Sequence, residues 1–147
     1  MYVDKFAVEK ANQAAVIMAE TGETLTYQEF DQRSNQVAHL LRSEGLKRLD
    51  HYAVFMENSI YYPEVCGAGE RSGLYYTCIN SYLTADELAY IINNSESQIV
   101  FTSTDKCHTL KAALAQCPNV KHCYVIGDSD KGLNDDRFKP YQKAIED

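Results

Sequence analysis

The segment Ile79-Asn80-Ser81-Tyr82-Leu83-Thr84-Ala85-Asp86-Glu87-Leu88-Ala89-Tyr90-Ile91-Ile92 carries a strand exit, a loop and a helix start in one short stretch. Thr84 stands three residues before Glu87, so its hydroxyl can accept from the free N–H of Glu87 while the Glu87 carboxylate reaches back to the Thr84 N–H. Leu83 and Leu88 flank this box as a hydrophobic staple. The same arrangement recurs at Leu25-Thr26-Tyr27-Gln28-Glu29-Phe30. Two helices are therefore predicted to start by the same chemistry, and both must leave an apolar face to be buried.

Around these two points the rest of the chain falls into alternating elements. Residues 1–13 read as a polar, weakly helical lead-in, and the apolar run from Ala14 to Ala19 with the turn-like Glu20-Thr21-Gly22-Glu23 predicts a short strand and hairpin. The helix after Thr26 carries Tyr27, Phe30, Val37, Ala38 and Leu41 on one stripe and stops at Gly45. Tyr52 to Met56 is a continuous apolar run, as expected of a strand covered on both faces. A helix with Pro63 in its first turn is expected from about Tyr61 to Ser72, closed by Gly73.

Further strands are expected at 74–79, 98–102 and 122–126. Between the last two lies a helix capped by Ser103 or Thr104, carrying Leu110, Ala113, Leu114 and Cys117 on one face and ended by Pro118. A solvated loop over 128–136 and a short helix near Tyr141 to Ile145 complete the chain. Strands alternating with helices imply parallel neighbours and right-handed crossovers. The predicted fold is a single α/β domain over 1–147, a layered and mostly parallel sheet with helices on both faces, preceded by a short N-terminal strand and hairpin.

Charge and composition narrow the partners. A net charge of -7 without a basic stripe argues against nucleic acid. No apolar run approaches the roughly 20 residues of a membrane span, and the N-terminus lacks a leader pattern, so a cytoplasmic protein with no integral membrane segment is expected. Cys66, Cys78, Cys107, Cys117 and Cys123 are odd in number and form no close pair, which suggests reduced, buried thiols. The sequon Asn93-Asn94-Ser95 then carries no sugar.

Motifs that suggest chemistry have simpler readings. Gly67-Ala68-Gly69 and Gly73 resemble a dinucleotide fingerprint in composition, but they close a helix instead of opening one, which favours close helix-to-sheet packing and a glycine cap. Asp128, Asp130 and Gly132 lack the distal glutamate of a calcium loop. Cys107, His108, Cys117, His122 and Cys123 lack zinc spacing. His39 and His51 are isolated, Ser59 and Ser81 suit caps or turns, and Glu29 and Glu87 are engaged in capping. Tyr61, Tyr62, Tyr75 and Tyr76 suit core packing more than the lining of a channel. No residue is therefore selected as catalytic, cofactor-binding or metal-ligating.

Taken together, residues Leu25 to Leu41, Glu57-Asn58-Ser59, Gly69-Glu70-Arg71-Ser72-Gly73, Ile79 to Thr84 and Glu87-Leu88-Ala89-Tyr90-Ile91 closely resemble, in order and spacing, the N-terminal part of AMP-forming acyl-CoA synthetases. Within that superfamily of adenylate-forming enzymes, the fatty or medium-to-long acyl-CoA ligases are most similar. Two departures stand out. Leu49-Asp50 replaces a Gly-Asp turn before the first core strand, and Thr77-Cys78 stands where a proline is usual.

The resemblance implies a ligase of fatty acid metabolism that joins carboxylate, ATP and CoA through an acyl-adenylate, with ATP, magnesium and CoA bound by the parent enzyme. The phosphate loop with its lysine, the adenine and ribose motifs, the magnesium glutamate and the C-terminal lysine domain have no counterpart among these residues. The expectation is an N-terminal fragment, inactive by itself and without cofactor. Its partner is the remainder of the enzyme, and it self-associates through surfaces that remainder would cover. The alternative is a stand-alone, non-catalytic binding or interaction module of the same fold.

Overall fold

The computed structural model describes residues 3–128 and 134–146. Elements run in the order α1 (Asp4–Glu9), β1 (Ala14–Ile17), β2 (Thr24–Thr26), α2 (Tyr27–Ser43), β3 (His51–Phe55), α3 (Tyr62–Ser72) and β4 (Tyr75–Cys78). They continue with α4 (Ala85–Asn94), β5 (Ile99–Ser103), α5 (Cys107–Leu114), β6 (His122–Ile126), β7 (Phe138–Pro140) and α6 (Tyr141–Glu146). The chain forms two compact units. One holds the residues up to Arg48 together with Asn58–Gly73, and the other Leu49–Glu57 with the residues from Leu74 onward.

In the first unit, β1 and β2 pair antiparallel. The strand ends at Ile17, short of the expected Ala19, because Met18 and Glu23 close the hairpin (Met18 N–H to Glu23 O, 2.8 Å) and Gly22 supplies φ 73° in the turn. Helices α2 and α3 pack face to face. Val37, Leu41, Val65 and Ala68 are buried, and a Cβ on Gly67 would lie 2.9 Å from Phe30 Cε2 and 3.3 Å from Ser34 Cβ. The glycine therefore serves close approach to helix α2, a different neighbour from the sheet expected. Gly73 ends α3 in the left-handed conformation, as read from the sequence.

Two ion pairs join the same helices. Arg71 Nη2 donates to Asp31 Oδ1 at 2.5 Å and its Nη1 to the Asp31 carbonyl at 3.0 Å. Arg33 Nη2 donates to Glu64 Oε1 at 3.1 Å, and the Arg33 guanidinium lies 4.8 Å from the centre of the Tyr61 ring.

The second unit is a five-stranded parallel sheet in the order β4-β3-β5-β6-β7, flanked by helices. Alternation along the strands assigns its faces. Ala53, Phe55, Val100 and Cys123 lie under Leu88, Ala89 and Ile92 of α4 and Leu110, Ala113 and Leu114 of α5 in one buried apolar cluster. On the opposite face Tyr52, Phe101 and Tyr124 form a ring ladder with centroid spacings of 5.6 Å, and Tyr141 of α6 sets its ring edge-on to Phe101 at 6.0 Å. A ladder of aromatic rings thus fills one layer, and Phe55 with mainly aliphatic groups the other.

Three features depart from expectation. Neither Ser103 nor Thr104 caps α5 through its side chain. A 3-10 turn (Thr104–Lys106) leads into the helix, and both hydroxyls are drawn to other acceptors. The helix stops at Leu114, ahead of Pro118, where the Leu114 carbonyl accepts from Cys117 N–H at 3.2 Å and from Arg137 Nη1 at 3.3 Å. Strand β7 is an additional edge strand that ends on Pro140, a residue such an edge tolerates. Leu49 takes φ 76° in the turn where the Gly-Asp pair was missing, so the turn survives in a residue ill suited to it.

Candidate functional site

Strand order places the one reversal of the sheet between β3 and β5. The chain lays β4 on one side of β3 and returns to lay β5 on the other, and in parallel sheets the crevice beyond the carboxyl ends of two such strands is where ligands bind. Two polar side chains meet there. Ser103, the last residue of β5, donates through Oγ to Glu57 Oε2 at 2.6 Å. Beside them Thr104 Oγ1 donates to the Asp128 carbonyl at 2.9 Å, tying the ends of β5 and β6. Gly127 permits this, since with φ 100° a Cβ there would lie 2.5 Å from that hydroxyl. After β4, Asn80 Oδ1 accepts from the Tyr82 N–H at 3.0 Å, and the turn presents the Tyr82 ring, 89% exposed, with Lys106 Nζ 5.2 Å from its centre.

This edge offers hydrogen-bonding and cation–π contacts. The Ser103 proton is directed to a carboxylate, and the serine is not part of a nucleophile–base–orienter arrangement.

The residues weighed from the sequence serve local structure. Glu29 and Glu87 complete their boxes, accepting from the Thr26 and Thr84 N–H groups at 2.9 Å each. Those backbone bonds, with the threonine hydroxyls, hold both carboxyls below the ordinary glutamate range. Leu83 packs on the apolar cluster that holds Leu88. Ser81 lies in the turn before α4.

Ser59 turns the chain through its carbonyl, which accepts from Tyr62 N–H at 3.1 Å. Its hydroxyl is buried and does not cap. His39 is exposed on α2, and His51 stacks on Tyr75 at 5.0 Å. Tyr75 is 56% exposed and outside the core, because β4 is an edge strand.

Cys107, Cys117 and Cys123 are buried, whereas Cys78 is exposed. Burial raises the Cys117 thiol and lifts that of Cys123 well above the ordinary range, which favours the protonated, unreactive form of both. Among the described residues no group of three or more His, Cys, Asp or Glu is placed to hold a metal ion. Asp130 and Gly132 of the calcium-like run lie outside the described residues. The sequence reading missed the Glu57–Ser103 and Arg33–Glu64 pairs, which span 46 and 31 residues and leave no local spacing to read.

Comparison with known proteins supplies what this geometry lacks. The family described as AMP-binding enzyme matches residues 3–146. The chain belongs to that family. It is similar to long-chain fatty acid transport protein 6 of Mus musculus, at 34% identity over 131 residues, covering 87% of this chain and 21% of that protein. It is also similar to the long-chain-fatty-acid–CoA ligase of Salmonella typhimurium, at 28% identity over 126 residues, covering 85% of this chain and 22% of that protein.

The fold is shared with an anthranilate CoA ligase solved in complex with anthranoyl-AMP, with a TM-score of 0.88 at 16% identity, over 98% of this chain and 27% of that one. This AMP-binding enzyme chain therefore spans about a fifth of the length of the curated relatives it matches. The N-terminal resemblance read from the capping boxes and the Ile79–Thr84 segment is confirmed.

Proposed function

We infer that the chain is the N-terminal α/β part of an acyl-CoA synthetase. It supplies scaffold to an enzyme that converts a carboxylate and ATP to acyl-adenylate and pyrophosphate, then transfers the acyl group to CoA, and it is catalytically silent alone. The family match over residues 3–146, set against a span of about a fifth of the relatives' length, carries this reading. One feature of the sequence supports it: no loop that clusters glycine, serine and threonine with a lysine precedes any of its helices.

On this reading ATP, magnesium and CoA are held by the remainder of the enzyme, and the setting is cytoplasmic. A fatty acid is the favoured substrate class, on the strength of the two relatives above. The position of β4 as the outer strand of its sheet, an uncharged Tyr-Tyr-Thr-Cys run with Tyr75 and Cys78 exposed, supports self-association when the chain is alone.

Incubation of the purified chain with ATP, magnesium, CoA and palmitate is expected to release no pyrophosphate above the blank. Sustained turnover abolished by a boiled control would overturn the reading. Sedimentation at increasing concentration is expected to show a rising weight-average mass, and a strictly monomeric profile would remove the self-association.

A further inference from the structure

A polar cleft of about 380 Å³ opens between α1, the outer stripe of α2 and the end of α3, wholly within the first unit. That volume lies in the range of small-molecule sites. Asn35, His39 and Arg42 line it from α2, spaced so that they share one helix face. Arg71 and Ser72 line it from α3, and Asp4 from α1.

Three features set this cleft apart from ordinary polar surface. Ser72 Oγ is buried without a hydrogen-bond partner, a cost that a bound acceptor would relieve. Arg71 is 11% exposed and clamped by the Asp31 carboxylate and carbonyl, so its remaining N–H groups are fixed in direction while the Asp31 charge is neutralised. The Arg42 side chain makes no hydrogen bond or ion pair with the described residues, and neither does the imidazole of His39. The carboxylate of Asp4 takes the Lys5 N–H at 2.8 Å and is exposed.

We propose that this cleft binds a small organic oxyanion, a phosphate monoester or a carboxylate, with the anionic group received by Arg42, Ser72 and the clamped Arg71. Guanidinium groups suit such oxyanions because they offer paired N–H donors in a planar fork. The site is built from residues of the first unit alone and needs no adenylation chemistry.

The test is an amide-resolved NMR titration of the full chain with inorganic phosphate, phenyl phosphate and acetate in turn, at constant ionic strength maintained with sodium chloride. Saturable shifts confined to residues 35–42 and 71–73 are expected. A stronger response to the two phosphates would identify phosphate as the ligand chemistry, and a stronger response to acetate a carboxylate. Arg42→Ala, at an exposed position that the fold does not use, should weaken binding about tenfold, the scale of one charge-assisted hydrogen bond. Ser72→Ala should weaken it about threefold, with an unchanged circular dichroism spectrum. Shifts that chloride alone reproduces, shifts spread over the whole surface, or an Arg42→Ala variant that binds as the parent does would each overturn the proposal.

Discussion

Arg33 Nε stands 2.6 Å from Oε2 of Glu64, and the two groups differ sharply in exposure, since the arginine side chain keeps 28% of its surface and the glutamate none. The approach is ionic and not an aligned hydrogen bond, whereas the neighbouring Nη2–Oε1 contact at 3.1 Å is one. Breaking a buried pair costs more than the pair contributes, because a charge is left uncompensated. Arg33→Ala removes the guanidinium from a carboxylate held in the interior and is expected to cost about 3–5 kcal/mol. Glu64→Gln leaves a cation that can turn toward water from its place over Tyr61, and should cost less. Urea denaturation of both variants checks the order, and a larger loss for Glu64→Gln would contradict this account.

The capping boxes make stability depend on pH in a defined direction. Hydrogen bonds from Thr26 and Thr84 lower the Glu29 and Glu87 pKa values, and the Arg137 guanidinium lowers that of Asp135. A carboxyl with a depressed folded value contributes fully above its unfolded value, 4.5 for glutamate, and loses that contribution as pH falls through the folded value. Melting temperature should therefore hold near neutrality and fall below about pH 4.5. Glu29→Gln with Glu87→Gln should flatten that descent, since glutamine retains the box geometry without the charge. Thr26→Ala should cost about 1 kcal/mol at neutral pH, and Thr84→Ala should act in the same direction. A descent of unchanged steepness in the double glutamine variant would show that other carboxylates control acid stability.

These boxes were legible because partners three residues apart write their geometry into the sequence, and the strands were legible because Tyr52–Met56 and His122–Ile126 are unbroken apolar runs. What stayed hidden depends on distance along the chain or on position in the sheet. Glu57 and Ser103 meet only once β3 and β5 are adjacent, so Ser103 looked like a free capping residue. Tyr75 has the composition of a core strand, yet β4 falls at the edge and leaves half the ring in solvent. Phe138-Lys139-Pro140 is too short, and too poor a strand former at its end, to be seen without its partner β6. The cleft at Arg42 and Ser72 joins residues from three helices, none unusual in its local setting.

Gly67 tests the packing of α2 on α3. An added Cβ meets the Phe30 ring at 2.9 Å and the Ser34 side chain at 3.3 Å. The half-buried ring must shift to admit the methyl group, and the Ser34 Cβ must give as well, which outweighs the helix-propensity gain of alanine. Gly67→Ala is expected to destabilise by about 1–3 kcal/mol. Phe30→Leu in the same chain should recover part of the loss by shortening the side chain that meets the new methyl group. An additive double variant, measured by thermal melts, would mean that the strain lies elsewhere.

Leu49 tests the turn into β3. At φ 76° it occupies the left-handed region, where an L-residue with a Cβ pays about 1–2 kcal/mol. Its side chain is 51% exposed and gains little by burial. The turn cannot relax without loss, because the next carbonyl, Asp50 O, accepts from Tyr75 N–H at 2.9 Å and opens the β3–β4 pairing. Glycine removes the steric term and adds about 0.5–1 kcal/mol of unfolded-state entropy, so Leu49→Gly should stabilise by a net amount of about 0.5–1 kcal/mol. Asparagine tolerates the conformation better than leucine, and valine tolerates it worse. Melting temperatures should therefore rank glycine, asparagine, leucine, valine from high to low, an order that follows neither hydrophobicity nor side-chain volume. A ranking that followed hydrophobicity instead would show that Leu49 is held by burial and not strained by its backbone.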